Sequence, residues 1–452
     1  MNRRKLLVGA AAAGGASALP GAVWAGTGRS ANDRVRIGMI GVGMRGRVLL
    51  RELVRRDDVE VVGLCDIEHW TLDKAVEQFT EAGKPSPRLW TGSDQAWREM
   101  LVSGDLDAVV IATPWEWHAP MAIAAMEAGV AVGCEVVAGV TLDDHWAVLR
   151  TQQRTGTPYM LLENVCFRRD VMAITRMVRE GVFGEMIHLE GGYQHDLRAV
   201  KFNAGVVGQA YGGGVEFGER GWSEARWRTQ HSVDRNGDLY PSHGIGPMAV
   251  WANIHRGNRF TRLTSYASKA RGLHDYVVAE GGETHPNAAV KFRLGDVVTT
   301  SIACADGTTL RLTHDTNLPR PYSLGFRVQG EKGLWMDVNR SIYVEGKSPE
   351  AHRWEPAEAW LERYDHPLWS RYADQAAGAG HGGMDFFVIH AFIAALKAGG
   401  DMPIDVYDAV AWSAITPLSE ASIAADNATV DFPDFTEGRW RDRRVPFDFT
   451  GA

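Results

Sequence analysis

Two groups of residues in this chain have the types and spacing for chemistry. The first is Gly41-Val-Gly43-Met44-Arg45-Gly46, set directly after the apolar run 35–40, with Asp66 twenty residues beyond it at the end of Val61-Val-Gly-Leu-Cys-Asp66. Glycines at these positions let the backbone turn tightly and approach a pyrophosphate, whose charge the N-terminus of the next helix favours. A lone G-x-G-x-x-G says little. Here a strand-like run precedes it, a helix-like segment over 47–55 follows, and an acid stands at the right distance, which together make a dinucleotide fingerprint. A carboxylate at 66 can accept hydrogen bonds from both ribose hydroxyls and repels a 2′-phosphate, so the expected cofactor is NAD.

The second group is scattered. Thr113-Pro-Trp115-Glu-Trp-His118, Glu135-Val136 and Glu163-Asn164 each follow a strand-like run. Any one of them could be a structural cap, but three on the carboxyl edge of one sheet point to a cofactor pocket. Farther on come Tyr193 and His195 in Gly191-Gly-Tyr-Gln-His-Asp-Leu-Arg198, Arg228 in Arg226-Trp-Arg228, and Tyr240 and His243 in Tyr240-Pro-Ser-His-Gly-Ile-Gly-Pro247. Pro241, Gly244 and Gly246 predict a rigid turn that presents both Tyr240 and His243. A tyrosine and a histidine so placed suit proton transfer to and from hydroxyls, and equally suit hydrogen bonds within a loop. Tyr322 reads as a sugar platform or a strand aromatic. Asp385, at the start of a helix after His381-Gly-Gly-Met, is as easily a partner of the helix dipole as a site residue.

Several chemistries are disfavoured. No H-x-x-x-H with a carboxylate partner is present and the fifteen histidines are dispersed, so no metal is assigned. No G-x-S-x-G elbow appears, and no pair of carboxylates is singled out for ordinary glycoside hydrolysis.

These residues need a scaffold. Expected strands over 35–40, 59–65, 107–112, 130–136 and 158–162 alternate with helices, the pattern of a doubly wound sheet. Beyond them, strands over 186–190, 260–268, 288–292, 297–304, 309–314 and 325–328 predict a mostly antiparallel sheet, with helices over 384–397 and 406–424 returning to the first domain. Residues 210–230 lack periodicity and read as a long loop over the site. The fold class is therefore α/β: an N-terminal Rossmann domain (31–165) and an α+β C-terminal domain (166–452) with an open sheet.

Length and charge agree. At 452 residues the chain exceeds the roughly 250–300 residues at which single cores stop growing. Its net charge is −8 even with Arg3, Arg4 and Lys5 counted, so nucleic acid is not an expected partner. Four widely spaced cysteines read as buried apolar residues. Residues 1–30 resemble a twin-arginine export signal: Arg3-Arg4, a small and weakly apolar stretch, then Val23-Trp24-Ala25 as a cleavage site. Export to the periplasm or beyond is expected. Past residue 25 no apolar run approaches the ~18–20 residues of a membrane span. A second copy of the chain is an open partner.

Taken together, the segments Gly41–Gly46, Cys65-Asp66, Trp115-Glu-Trp-His118, Cys134-Glu-Val136, Leu162-Glu-Asn-Val-Cys166, Tyr193-Gln-His-Asp-Leu-Arg198, Tyr240–Pro247 and His381-Gly-Gly-Met-Asp-Phe386 resemble the Gfo/Idh/MocA oxidoreductase-like proteins, and more narrowly glycoside hydrolase family 109. The resemblance departs at Val137-Ala-Gly139, where a proline is expected nearby. It implies an N-acetylgalactosaminidase that works by oxidation, elimination, addition and reduction with NAD. A 3-ketone acidifies the proton on C2, loss of that proton expels the group at C1, water adds, and the ketone is reduced again. It also implies roles: Tyr193 as C2 base, His243 for the 3-hydroxyl proton, Tyr240 tuning both, Arg228 and Tyr322 holding the sugar, Glu163 and Asn164 orienting the nicotinamide or its ribose. A plain NAD-dependent sugar dehydrogenase is the rival, disfavoured by Val136 where such enzymes commonly carry lysine. A non-catalytic NAD- or sugar-binding protein is the other.

Overall fold

The computed structural model describes residues 34–399 and 401–443, so the leader read over residues 1–30 lies outside the described residues. The first sheet has six parallel strands, β1 (Val35–Ile40), β2 (Val59–Cys65), β3 (Arg88–Trp90), β4 (Ala108–Ile111), β5 (Ala131–Cys134) and β6 (Tyr159–Leu161), in the order β3-β2-β1-β4-β5-β6. Every residue of β4 and β5 is buried, because helices cover both faces and leave no solvent side for polar residues to serve. The winding direction reverses between β1 and β4. A crevice opens beyond their carboxyl ends, where such sheets bind ligands.

The second sheet has nine strands: β7 (Met186–Gln194), β8 (Phe260–Ala267), β9 (Val297–Cys304), β10 (Thr309–Asp315), β11 (Arg327–Gly330), β12 (Gly333–Met336), β13 (Ser341–Val344), β14 (Glu355–Pro356) and β15 (Val430–Asp431). Their order is β14-β13-β12-β11-β7-β10-β9-β8-β15, antiparallel except for the parallel pair β7–β10. The expected α/β class with a mostly antiparallel second sheet is what the structure has. Helices Met384–Ala398 and Val406–Ala424 lie against the first sheet. The Phe392 ring comes within 3.1 Å of where a Cβ on Gly133 would sit, and the Leu161 amide donates to the Ile404 carbonyl at 3.1 Å.

Three local expectations are corrected. Residues 288–292 form no strand; Pro286–Ala289 is a 3-10 turn, and Phe292 packs sideways with Phe202 and Phe217 in a small separate cluster. Tyr240–Pro247 is not the expected rigid turn, because Ser242–Trp251 is helical with Pro241 as its N-cap. The glycines serve close packing there: a Cβ on Gly244 would meet the Gly192 amide nitrogen at 2.6 Å. The loop over 210–230 contains two 3-10 turns, Gly218–Arg220 and Ser223–Arg226, and runs into the helix Arg228–Asp234.

Candidate active site

The glycine turn is shaped by contacts that forbid side chains. Gly41 has φ +84°, and a Cβ there would lie 2.6 Å from the Ala112 carbonyl oxygen. A Cβ on Gly46 would lie 2.1 Å from the Gly41 oxygen, so the helix Met44–Val54 starts hard against the turn. Around Gly43 there is open space to 4 Å, which leaves that side of the backbone for a phosphate. Asp66 follows β2; its Oδ2 accepts from the Val42 amide at 2.8 Å and its Oδ1 from the Glu68 amide at 2.9 Å. Each oxygen keeps lone-pair capacity toward the cavity. Asn164 donates through Nδ2 to Asp385 Oδ1 at 2.8 Å, while its own Oδ1 is buried without a partner. A glycine cradle, an acid at ribose distance and an orphaned amide oxygen fit a dinucleotide.

One cavity of ≈ 770 Å³ runs from Gly41, Gly43 and Asp66 past Trp115, Glu135 and Val136 to Tyr193, Tyr240 and His243. Beside the turn, Arg45 Nε donates to Glu135 Oε1 at 2.7 Å and Nη1 pairs with Asp385 Oδ2 at 2.8 Å. His381 Nδ1 lies 2.7 Å from the same Asp385 oxygen. Burial pushes the Asp385 carboxyl up, but Arg45 and His381 hold it well below the usual carboxylate range. Asp385, left open by the sequence, thus ties the glycine turn to Asn164 and the C-terminal helix. His118, expected against the cofactor, turns Nδ1 to the Val137 carbonyl at 2.6 Å and Nε2 to the Thr113 carbonyl at 2.8 Å, bracing the loops after β4 and β5.

At the other end of the cavity the side chains converge. Glu163, also expected against the cofactor, is fully buried beneath His243, with Oε1 at 2.7 Å and Oε2 at 2.9 Å from His243 Nδ1. Its Oε1 accepts from the Val165 amide as well. A carboxylate at Nδ1 fixes the tautomer with the proton there and leaves Nε2 as the acceptor. The Tyr193 ring lies 5.2 Å from His243 and 4.8 Å from Tyr240, and Tyr240 lies 4.9 Å from His243. The Arg228 guanidinium stands over the rings of Tyr240 at 5.0 Å and Trp115 at 5.2 Å. Burial pushes the Tyr193 hydroxyl up to about 12, although Arg228 opposes it. Tyr322, half exposed, sits at the rim with its ring 6.5 Å from Tyr193.

The loop over the site brings residues that sequence reasoning did not single out. Arg226 pairs with Glu68 of the first domain, and the Trp222 ring meets Trp70 edge-on at 5.6 Å. Buried Asn203 pins the loop, its Nδ2 donating to the Ala210 and Trp222 carbonyls and its Oδ1 accepting from the Gly205 and Trp222 amides. No period or motif marks these partners, since each pair joins distant segments. Among the described residues no cluster of His, Cys, Asp and Glu could hold a metal ion, and no helix is long and apolar enough to cross a membrane.

Comparison with known proteins agrees with this geometry. Residues 35–161 match the oxidoreductase family's NAD-binding Rossmann fold, so the first domain binds NAD. A protein of Stenotrophomonas maltophilia (strain K279a) described as a glycosyl hydrolase family 109 protein is 63% identical over 100% of this chain and 99% of its own. An alpha-N-acetylgalactosaminidase of Tannerella forsythia is 51% identical over 91% of this chain and 88% of its own. A solved levoglucosan dehydrogenase in complex with NADH and levoglucosan shares the fold, with TM-score 0.64 and 19% identity over 89% of this chain and 100% of its own. Residues 167–442, which carry Tyr193, Arg228, Tyr240 and His243, match the glycosyl hydrolase 109 C-terminal domain, and with the resemblance in sequence thereby borne out, the chain belongs to glycosyl hydrolase family 109.

Proposed function

We propose that this protein is a glycosidase of terminal N-acetylgalactosaminides whose catalytic groups are Tyr193, His243 and Tyr240. The observation that carries the reading is His243, held from beneath by buried Glu163 and facing Tyr193 and Tyr240 in the cavity that also holds the glycine turn. When bound, NAD supplies a two-electron acceptor that is restored at the end of the cycle. Gly41, Gly43, Met44, Arg45, Gly46 and Asp66 would hold its phosphate and ribose, with Trp115, Glu135, Val136 and Asn164 along its length. His243 Nε2, with Nδ1 committed to Glu163, takes the proton of the sugar 3-hydroxyl. Tyr193 takes the proton from C2. Tyr240 packs against both rings, and Arg228 and Tyr322 hold the sugar. The name of the 51% identical relative supports the substrate.

The test is release of nitrophenol from α- and β-linked N-acetylgalactosaminides by the purified protein in heavy water. Cleavage of one anomer or both, with deuterium at C2 of the freed sugar, is expected. Oxidation of free sugar with accumulating reduced cofactor and no cleavage would instead establish a dehydrogenase. The reading of residues 1–30 as a twin-arginine signal rests on Arg3-Arg4 and is tested separately. Fused to a folded reporter, these residues should direct export that Arg3→Lys with Arg4→Lys abolishes; unchanged export overturns that route.

A further inference from the structure

We propose that His195 is a positioning residue for Tyr193 that takes the proton from its hydroxyl and exchanges it with solvent. The inference rests on the reading of Tyr193 as the C2 base. A phenol is a base only after losing its own proton, and burial keeps that proton on Tyr193 at neutral pH. The residue therefore needs an outlet. Arg228, the cation beside the hydroxyl, carries donors only and accepts nothing. His243 has its Nδ1 committed to Glu163 and its Nε2 to the proton of the sugar 3-hydroxyl. His195 Nδ1 lies 3.2 Å from the Tyr193 hydroxyl, and its ring meets Tyr322 edge-on at 5.0 Å, at the half-exposed rim of the site.

The histidine is held for this contact. Its backbone amide donates to the Asp315 carbonyl at 2.9 Å, fixing the end of β7 against β10. Burial, with Arg228, His243 and His381 nearby, lowers its pKa against the opposing pull of Asp196, which keeps the ring neutral and able to accept. The proton inventory then closes. The Tyr193 O–H bond breaks, an N–H bond forms at His195 Nδ1, and a proton leaves from Nε2 to water. In the 3-keto sugar the phenolate takes the C2 proton, and the electron pair of that C–H bond becomes the C1–C2 double bond. The C1–O bond breaks and its pair leaves with the aglycone. Without His195 the proton taken from C2 stays on Tyr193 and returns to C2.

The experiment uses the NAD-loaded protein with nitrophenyl N-acetylgalactosaminide in heavy water, comparing parent, His195→Gln and His195→Ala. Cleavage is expected to fall about ten- to a hundredfold in both variants, at or below the lower end of the ~10²–10⁴ typical of acid–base groups because His195 acts through Tyr193. Deuterium at C2 per sugar released should fall severalfold, and added imidazole should partly restore His195→Ala but not His195→Gln. Unchanged deuterium content in the variants overturns the inference, as does a loss of cleavage in His195→Ala that imidazole leaves untouched. If Tyr193→Phe cleaves as the parent does, the C2-base reading falls and this inference with it; a parent that needs Tyr193 for cleavage yet places no deuterium at C2 removes the exchange through His195 alone. Deuterium in the parent with equal deuterium in the variants removes His195 alone.

Discussion

The two ends of the cavity are built in opposite ways. At the nucleotide end a single stretch from β1 through β2 supplies Gly41, Gly43, Gly46 and Asp66, and what matters is the path of the backbone. At the proposed acid–base end the backbone supplies only places. Tyr193 comes from β7, Arg228 from one helix, His243 from the next, and the carboxylate that orients His243 comes from Glu163, after the last strand of the other sheet. A site made of backbone is set by where side chains cannot be. A site made of side chains depends on each rotamer and on the charge beneath it, so one substitution far along the chain can disorder it.

The largest effect should therefore come from the acid–base end. Tyr193→Phe and His243→Ala are each expected to cut glycoside cleavage by ~10²–10⁴ while leaving bound nucleotide at parental content. Tyr193→Phe should keep part of the first oxidation, seen as reduced nucleotide, whereas His243→Ala should lose it. Loss of nucleotide from either variant would show that the two ends are one unit and break the comparison.

A smaller but global effect is expected at Asp385, which belongs to neither end. Breaking a buried ion pair from one side costs about 3–5 kcal/mol, so Asp385→Asn should unfold at distinctly lower denaturant concentration at neutral pH. The folded-state pKa of Asp385 lies below its ordinary value, so its contribution is present above that value and lost as pH falls through the range beneath it. The stability gap between parent and variant should accordingly narrow below pH ~4. A gap that stays constant from neutral to acid pH would show that Arg45 does not stabilise the ionised form.

The smallest effect sharpens the nucleotide end. Hydrogen bonds to a charged acceptor contribute ~1.5–3 kcal/mol, so Asp66→Ala should weaken NAD retention roughly ten- to a hundredfold, measured as nucleotide left after dialysis. Equal content in variant and parent would mean that the turn alone holds the cofactor.

The contrast also explains what could be read from the sequence. The glycine turn is legible because its signal is contiguous and close backbone contacts require glycine at 41 and 46. Helices over 384–397 and 406–424 are legible as long, nearly continuous apolar runs, and the structure gives Met384–Ala398 and Val406–Ala424. Glu163 was placed at the correct edge, but whether a strand-end carboxylate enters the crevice or turns under a histidine of another domain depends on tertiary packing alone. Asp385 looked like a partner of its helix dipole because Arg45 and Asn164 are remote in sequence. Gly244 and Gly246 suggest a turn; they are helical glycines, of which Gly244 lets Ser242–Trp251 approach β7 and Gly246 makes room for Trp412, Cys166 and Glu163. Strands β12 and β13, four residues each, are too short for alternation to register.

The tie between Arg45 and the segment at His381 and Asp385 bears on the order in which the protein comes into being. His381 stands 336 residues beyond Arg45. A ribosome therefore releases the glycine turn and Glu135 long before Asp385, the second acid that pairs with Arg45, and Asn164 waits as well for its partner across 221 residues. Until the helix Met384–Ala398 has emerged and settled on β5, the first domain lacks part of its own covering layer. The nascent chain is a nucleotide site in outline only, and a stop codon before residue 385 would remove the brace of that site together with the tail of the protein.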